Sequence, residues 1–204
     1  MFRLQPHRHA GSGNLPQAPQ KGHHPGTGGA GMSWLLELLI GAALAVTLRL
    51  FVVSLAFIRG SSMLSTLRNK DIALVWRLPY LLRAPKRGDV VICHYPGRKM
   101  KRLPFLPQAF VKRVIGLPGD TLEWQEGVLL LNSEPLDEPY LDPAHCRYAR
   151  TRPPRTLGED EYFVLGDNRD RSNDSRSVGP LHRRAIRGRV VCLLFPLKRA
   201  GRVR

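Results

Sequence analysis

The sequence is short of cysteine, and its three cysteines lie far apart, at positions 93, 146 and 192. It contains no CxxC pair and no Cys/His spacing typical of a metal site, which argues against a disulfide scaffold or a structural zinc site. Cys93 and Cys192 stand in strand-like apolar runs, which favours buried thiols. A single disulfide stays open if those two strands are neighbours, and Cys146 lies in a loop-like stretch.

Acidic residues are scarce: 16 Asp and Glu stand against 32 Lys and Arg, which gives a formal net charge of +16. Such a charge favours anionic partners, either lipid headgroups or nucleic acid. An Arg-rich proteome would produce the same balance without any such partner. The arginines are scattered and no basic face with interleaved aromatic residues is apparent, so specific nucleic-acid binding is not expected.

Composition divides the chain into four parts. Residues 1–31 are rich in Gly, Pro, His and Gln and have no hydrophobic period, which predicts a disordered tail, with Met32 as a second natural start. Residues 35–58 predict a transmembrane anchor. Residues 59–198 predict a β-rich catalytic domain, and residues 199–204 a basic C-terminal tail.

The predicted anchor carries two charges, Glu37 and Arg49, so its insertion needs an energy argument. Thirteen Leu, Ile, Val or Phe residues between Leu38 and Ile58 contribute about −4 to −8 kcal/mol, whereas one arginine costs about +2.5 to +3.5 kcal/mol at the centre. Insertion is therefore favoured over a buried core helix or a cleaved signal sequence. The basic residues on the two sides balance, so charge does not give the orientation.

Beyond the anchor, short runs rich in Val, Leu, Ile and aromatic residues are separated by Gly, Pro, Asp and Asn. This pattern predicts strands and turns rather than helices, in a mainly β, mostly antiparallel domain. The runs are "DIALVWRLP", "GDVVICHYP", "AFVKRVIGLPGD", "TLEWQEGVLLLN", "EYFVLGDN" and "RVVCLLFPL".

Ser62, in the segment "GSSMLSTL", is a candidate nucleophile that would need a base. His94 and His182 lie outside the tail and the loop-like stretch, but neither has a motif around it, so a Ser-His-Asp triad is unsupported. Lys112 is the other candidate base. Strand alternation places it on an apolar face, where burial lowers the pKa of a lysine toward the working range of a base. The alternative is a surface cation beside Arg113.

The third stretch of interest is "GDNRDRSNDSRSVG", residues 166–179, which is dense in Asp, Asn, Ser and Arg. Its side chains can make many hydrogen bonds to backbone groups and an Asp–Arg ion pair, and so support a neighbouring site. The acidic spacing does not match a calcium loop, and three arginines oppose a cation. No metal and no other cofactor is expected.

Four segments in this order and approximate spacing resemble bacterial type I signal peptidases: "GSSMLSTL", "RGDVV", "KRVIGLPGD" and "GDNRDRSNDSR". The resemblance extends from the anchor to about Pro196. Self-cleaving repressors share the Ser-Lys fold but lack these loops and the anchor. The resemblance implies an antiparallel signal-peptidase-like β domain, the LexA-like Ser-Lys fold, with one N-terminal transmembrane helix.

The resemblance implies that Ser62 is the nucleophile and Lys112 the general base. It implies that the backbone N–H of Ser62, next to Met63, helps to form an oxyanion hole, and that Ser172 orients the lysine. It also implies that Asp174 and Arg176 form a structural ion pair. Structural roles are likewise implied for Asp120 and Asp167.

Three positions depart from the family pattern. Ser65 replaces a proline and so removes a fixed φ from the turn after the nucleophile. Gly60 stands where some members have a serine that completes the oxyanion hole, although other members also have glycine. Val178 replaces a tryptophan. None of these changes removes Ser62 or Lys112.

The implied protein is a membrane-anchored serine endopeptidase that removes signal peptides from secreted preproteins. It would be a single-pass, monomeric protein of the cell (inner) membrane, with its catalytic domain on the outer face. Its partners would be preproteins, bound as an added β-strand, and membrane lipids. Residues 74–82 either dip into the membrane interface or form ordinary core strand. The alternative function is a non-catalytic or weakly active paralogue that binds preproteins in a secretion complex.

Overall fold

The computed structural model describes residues 30–100, 105, 107–147 and 150–203. The chain divides into two compact units between Gly41 and Ala42. The predicted tail falls on residues 1–29, outside the described residues, except that Ala30 and Gly31 begin the first helix.

The described residues form three α-helices and twelve strands. The helices are α1 (Ala30–Thr47), α2 (Pro79–Leu82) and α3 (Ser175–Val178). The strands are β1 (Val53–Phe57), β2 (Ile72–Trp76), β3 (Val90–Lys99), β4 (Pro107–Gly116), β5 (Thr121–Gln125), β6 (Val128–Leu131), β7 (Glu134–Pro135), β8 (Arg152–Thr156), β9 (Glu161–Leu165), β10 (Leu181–His182), β11 (Ile186–Phe195) and β12 (Gly201–Arg202).

The sequence predicts one helix from residue 35 through Ile58, but the structure divides this apolar run into three elements. α1 ends at Thr47, a wider π-helical turn covers Leu48–Val52, and β1 follows. Residues of β1 alternate in exposure and pair antiparallel with β2, so their backbone groups are satisfied by a strand. Among the described residues, none of the helices has the combination of length and apolar character that crossing a membrane requires.

The strands confirm the predicted mainly β, antiparallel domain. Eight of them form one sheet in the order β1-β2-β11-β3-β4-β9-β10, with β12 paired to β11. The other four form a second sheet in the order β7-β6-β5-β8. Each predicted strand run contains at least one observed strand, because alternating apolar residues bury one face of a sheet while turn residues end each run.

Three apolar clusters form the core. One lies beneath the turn that follows β1 and includes Met63, Leu67 and Val75. A second is built on the central strands, and a third on the smaller sheet. β3 and β11 are neighbours in the sheet, as a Cys93–Cys192 disulfide would require. All three cysteines are nevertheless free.

The C-terminal residues belong to the domain, and the prediction of a basic tail from residue 199 is wrong for residues 199–203. An Arg199 Nη1 atom lies 3.0 Å from both carboxylate oxygens of Asp71. Asp71 is buried, and a buried carboxylate needs a paired cation. β12 then pairs with β11, and the Val203 side chain is buried.

Candidate active site

Ser62 lies in the turn that joins β1 to β2, and the apolar core holds this turn. The side chains of Met63 and Leu67 are buried, and the Leu67 N–H donates to the Met63 carbonyl at 2.7 Å. Gly60 has φ of +98°, a conformation that L side chains rarely adopt, which is why glycine suits the entry to the turn. The core therefore fixes the backbone on both sides of Ser62.

Lys112 lies in the middle of β4, where its Cα is opposite that of Val91 in β3. Its side chain is 2% exposed, and its Nζ donates a hydrogen bond to Oγ of Ser62 at 2.8 Å. The alternative of a surface cation is therefore wrong. Among the described residues, Lys112 is the one hydrogen-bond partner of the Ser62 hydroxyl.

The surroundings of Lys112 favour the neutral amine. Burial lowers the pKa of Lys112, and this effect outweighs the opposing influence of Asp174 and Cys93, so the pKa lies below its ordinary value of 10.5. A neutral amine hydrogen-bonded to a hydroxyl has a lone pair with which it can take the hydroxyl proton. The pair thus has the chemistry of a nucleophile and its base.

Gly166 begins the polar loop, residues 166–179, and allows this loop to lie against the backbone of Ser62. A Cβ atom at Gly166 would lie 2.2 Å from Oγ of Ser172 and 2.4 Å from the carbonyl oxygen of Ser62, so glycine is required for this close approach. The N–H of Asn168 donates to the same Ser62 carbonyl at 3.0 Å. The Ser172 hydroxyl is buried and makes no hydrogen bond to Lys112; it is close enough to the Asp174 carboxyl to help lower that group's pKa. The structure therefore places Ser172 beside the pair without joining it to Lys112.

The ion pair expected within the loop is present. Arg176 Nε lies 2.8 Å from Asp174 Oδ1, and both residues are buried. Asp174 also accepts from the Gly166 N–H at 3.0 Å. Burial raises the pKa of the Asp174 carboxyl, but the hydrogen bonds and charge of Arg176 outweigh it and hold the pKa below its ordinary value. The pair fixes the loop that carries Ser172.

A second buried ion pair was not predicted from the sequence. Arg113 is 1% exposed and donates to both oxygens of Asp167, at 2.9 and 2.8 Å, while its guanidinium lies 3.8 Å from the centre of the Tyr140 ring. The signal was available: alternation places Arg113 on the opposite face of β4 from Lys112, among apolar residues. The carboxylate of Asp120, the fourth residue expected to have a structural role, forms an ion pair with Arg87 at 3.0 Å.

Ser62 lines a groove of about 730 Å³ between β1 and the first half of β4. β1 is an edge strand that pairs with β2 on one side, and β4 pairs with β9 only from Arg113 onward. Two backbone edges therefore border the groove, and Ser62 lies at one end of them. His94 also lines the groove, and burial lowers its pKa.

The structure accounts for two of the departures from the family pattern. Ser65 has φ of +88°, which proline cannot adopt, and its hydroxyl lies within hydrogen-bond distance of the Leu64 carbonyl and, at 3.3 Å, of the Tyr140 carbonyl. A Cβ atom at Gly60 would meet open space, although the positive φ would strain it. For Val178, which is exposed, nothing in the structure explains the change.

A buried amine hydrogen-bonded to a serine hydroxyl, beside a groove long enough for an extended peptide, is an arrangement suited to a hydrolase. The model of the family "Signal peptidase, peptidase S26" matches residues 31–195. The chain belongs to this family.

Relatives along most of the chain carry the name signal peptidase I. The protein from Leptolyngbya laminosa is 36% identical over 83% of this chain and 82% of its own length. The protein from Bacillus licheniformis is 30% identical over 80% of this chain and 88% of its own length. A solved signal peptidase I from Enterococcus faecalis is 32% identical, with a TM-score of 0.42 over 53% of this chain and 98% of its own. The chain is accordingly a peptidase of the signal-peptide-removing type.

Proposed function

We propose that this peptidase cleaves signal peptides from secreted preproteins with Ser62 as the nucleophile and Lys112 as the general base. The observation that carries the proposal is the 2.8 Å hydrogen bond between the Lys112 amine and the Ser62 hydroxyl. The burial of Lys112 supports it, because a solvated lysine would be protonated at neutral pH and unable to accept a proton.

The reaction follows from these two groups. Lys112 Nζ takes the proton of the Ser62 hydroxyl while Oγ attacks the scissile carbonyl carbon, and the carbonyl π electrons move to oxygen. The Ser62 N–H forms no hydrogen bond with the described residues and is available to that oxyanion. The tetrahedral species collapses, the C–N bond breaks, and the protonated Lys112 gives its proton to the leaving amine. Water, deprotonated by Lys112, then attacks the ester carbonyl carbon; the C–O bond to Ser62 breaks, and Oγ takes the proton back from Lys112.

The groove favours a substrate in extended form. A peptide lying between β1 and the start of β4 would hydrogen-bond to both backbone edges, as an added strand does. Such binding reads backbone shape and leaves side-chain selection to shallow pockets near Ser62. Small side chains such as alanine would fit there, so an Ala-x-Ala site is the substrate to test.

Attachment to a membrane is part of the proposal. Large apolar side chains of α1 are exposed around the helix, which suits a lipid environment better than water: Leu36, Leu38, Leu39, Ile40 and Leu44. On the domain itself, Trp76, Leu78, Leu81 and Leu82 are exposed, whereas Tyr80 is buried and donates to Asp89. We place the enzyme at the cell membrane as a monomer, with the domain on the outer face, where cleavage sites emerge.

The decisive experiment is cleavage of a preprotein with an Ala-x-Ala site by the detergent-solubilised full chain. We expect a single cut by the wild type and none by Ser62→Ala or Lys112→Ala. Ser61→Ala and Lys86→Ala are the matched controls, because Ser61 adjoins the nucleophile and Lys86 is exposed. Activity in Lys112→Ala would exclude the Ser62–Lys112 dyad, in which the lysine is the base for the serine, and would make His94 the base to test.

A non-catalytic preprotein-binding paralogue is favoured only by the changes at Ser65 and Gly60. It predicts a folded wild type that binds preproteins without cutting any. Attachment to the membrane is tested separately: carbonate extraction of membranes should leave the chain in the pellet, and protease added outside intact cells should digest the domain. Release by carbonate would contradict the attachment.

A further inference from the structure

The end of the groove far from Ser62 is cationic. Arg77, His94 and Arg187 line it there, and Arg59 lines the groove near Ser62. Among the described lining residues there is no Asp or Glu. The three residues come from adjacent strands or their ends, since β11 lies between β2 and β3. Both arginines are close enough to His94 to lower its pKa, though burial lowers it more. Burial and the two arginines thus favour the neutral form of His94 by lowering its pKa, and the arginines carry the positive charge of the cluster.

Local backbone features direct the two arginines into the groove. Arg187 lies where β11 shifts register against β3, between the pairs Ile186–Cys93 and Gly188–Ile92, so it is the extra residue of a bulge. A Cβ atom at Gly188 would lie 2.7 Å from Cγ1 of Val75 and 3.2 Å from Cγ of Arg77, so the glycine leaves room for both side chains. Arg187 is exposed and forms no ion pair with a described residue. The groove thus contains a cation without an acidic partner of its own.

The register gives the distance between this cluster and the dyad. His94 lies opposite Ala109 in β4, three residues before Lys112, a separation of roughly 10 Å along a strand. β1 and β4 both run toward the dyad, and the apolar segment enters at the start of β1. A signal peptide comes from the membrane, so its upstream residues would occupy the same end. Its cleavage region would then run parallel to β1 and β4.

We propose that Arg187, together with Arg77, forms a subsite that selects acidic side chains four or five residues before the scissile bond. The inference rests on the proposed function and adds a charge preference to it. A carboxylate of the substrate would supply the counter-charge that Arg187 lacks among the described residues, and a lysine at the same place would be repelled by the like charge of Arg187.

The test uses three Ala-x-Ala preproteins that differ at the fourth and fifth residues before the cut, which are Glu-Glu, Gln-Gln or Lys-Lys. The full-length enzyme is assayed as wild type and as Arg187→Glu. Arg184→Glu is the matched control, because it changes charge equally at an exposed residue outside the groove. We expect kcat/KM of the wild type to be about fivefold or more higher for Glu-Glu than for Lys-Lys, as exposed ion pairs allow. Arg187→Glu should reverse that order, and Arg184→Glu should keep it.

Each other outcome overturns the inference in a recognisable way. Equal kcat/KM for the three substrates, with the single cut retained, rejects the subsite and leaves the peptidase function intact. An equal loss of preference in Arg184→Glu would assign the effect to net charge and not to the groove. If the wild type cuts none of the three, the proposed function fails and the subsite fails with it.

Discussion

The amine of Lys112 and the hydroxyl of Ser62 are hydrogen-bonded at 2.8 Å across fifty residues of sequence. One is supplied by the middle of a central strand and the other by the turn after an edge strand. Because a strand and a core-anchored turn hold them, neither side chain has to be ordered when a substrate arrives. On the proposed mechanism, both activity and stability would depend on the protonation of this one buried amine.

The pH dependence of activity should report that amine. Burial lowers the pKa of Lys112 below 10.5, so kcat/KM should rise with pH as the amine loses its proton, with an apparent pKa below that of an ordinary lysine. The rise should remain in His94→Gln. If His94→Gln removed it, the rise would belong to the histidine and the dyad assignment would be wrong.

Lys112→Met should abolish cleavage and yet raise the free energy of unfolding at pH 7. The folded-state pKa is lowered, so the unfolded chain binds more protons and wild-type stability rises with pH up to the unfolded value near 10.5. Methionine has no such dependence, so the stability gain should shrink as pH rises toward 10. Urea unfolding at pH 6, 8 and 10 measures this, and a gain independent of pH would contradict a buried, titrating lysine.

The Arg113–Asp167 pair should stabilise the site by holding the polar loop against β4. Both side chains are 1% exposed, so Asp167→Asn or Arg113→Met leaves a buried charge without its partner. Each change should cost about 3–5 kcal/mol of unfolding free energy, and the double variant should cost less than the sum. Denaturant unfolding of the three variants gives the coupling. Additive losses would mean that the two charges do not stabilise each other.

Gly166→Ala should damage catalysis more than stability. Its new Cβ would lie 2.2 Å from the Ser172 hydroxyl and 2.4 Å from the Ser62 carbonyl, so the loop and the nucleophile turn must separate. We expect kcat to fall at least about tenfold, since small displacements of reacting groups are costly. Gly201→Ala, which meets open space, is the control. Equal kcat in both variants would show that the approach of the loop to Ser62 is not needed.

Ser65 offers a test of the turn after the nucleophile. Ser65→Gly should stabilise the turn or leave it unchanged, because glycine adopts a φ of +88° without strain. Ser65→Pro should destabilise the domain by about 2–3 kcal/mol, because proline holds φ near −65°. Thermal unfolding of both variants distinguishes them. A stabilised Ser65→Pro would show that the turn takes the proline-compatible form in solution.

The strands could be predicted because apolar alternation and turn residues are local signals. The same alternation buries Lys112, and the run "KRVIGLPGD" with the loop "GDNRDRSNDSR" indicates the family without any structure. Local signals could not predict where the helix ends and the strand begins within the apolar run. "VSLAF" is as apolar as the helix before it, and only its pairing with the strand "IALVW" makes it β1.

The sequence by itself determined the mainly β fold class and the family, and it singled out Ser62 and Lys112 as the candidate nucleophile and base, because residue type and local pattern carry that information. The tertiary structure decided which groups meet. Arg113 pairs with Asp167, and Arg199 pairs with Asp71. Gly166 allows the polar loop to approach Ser62, and a bulge in β11 places Arg187 in the groove. These relations join residues far apart in the chain, and packing and sheet register, which no local pattern encodes, bring them together.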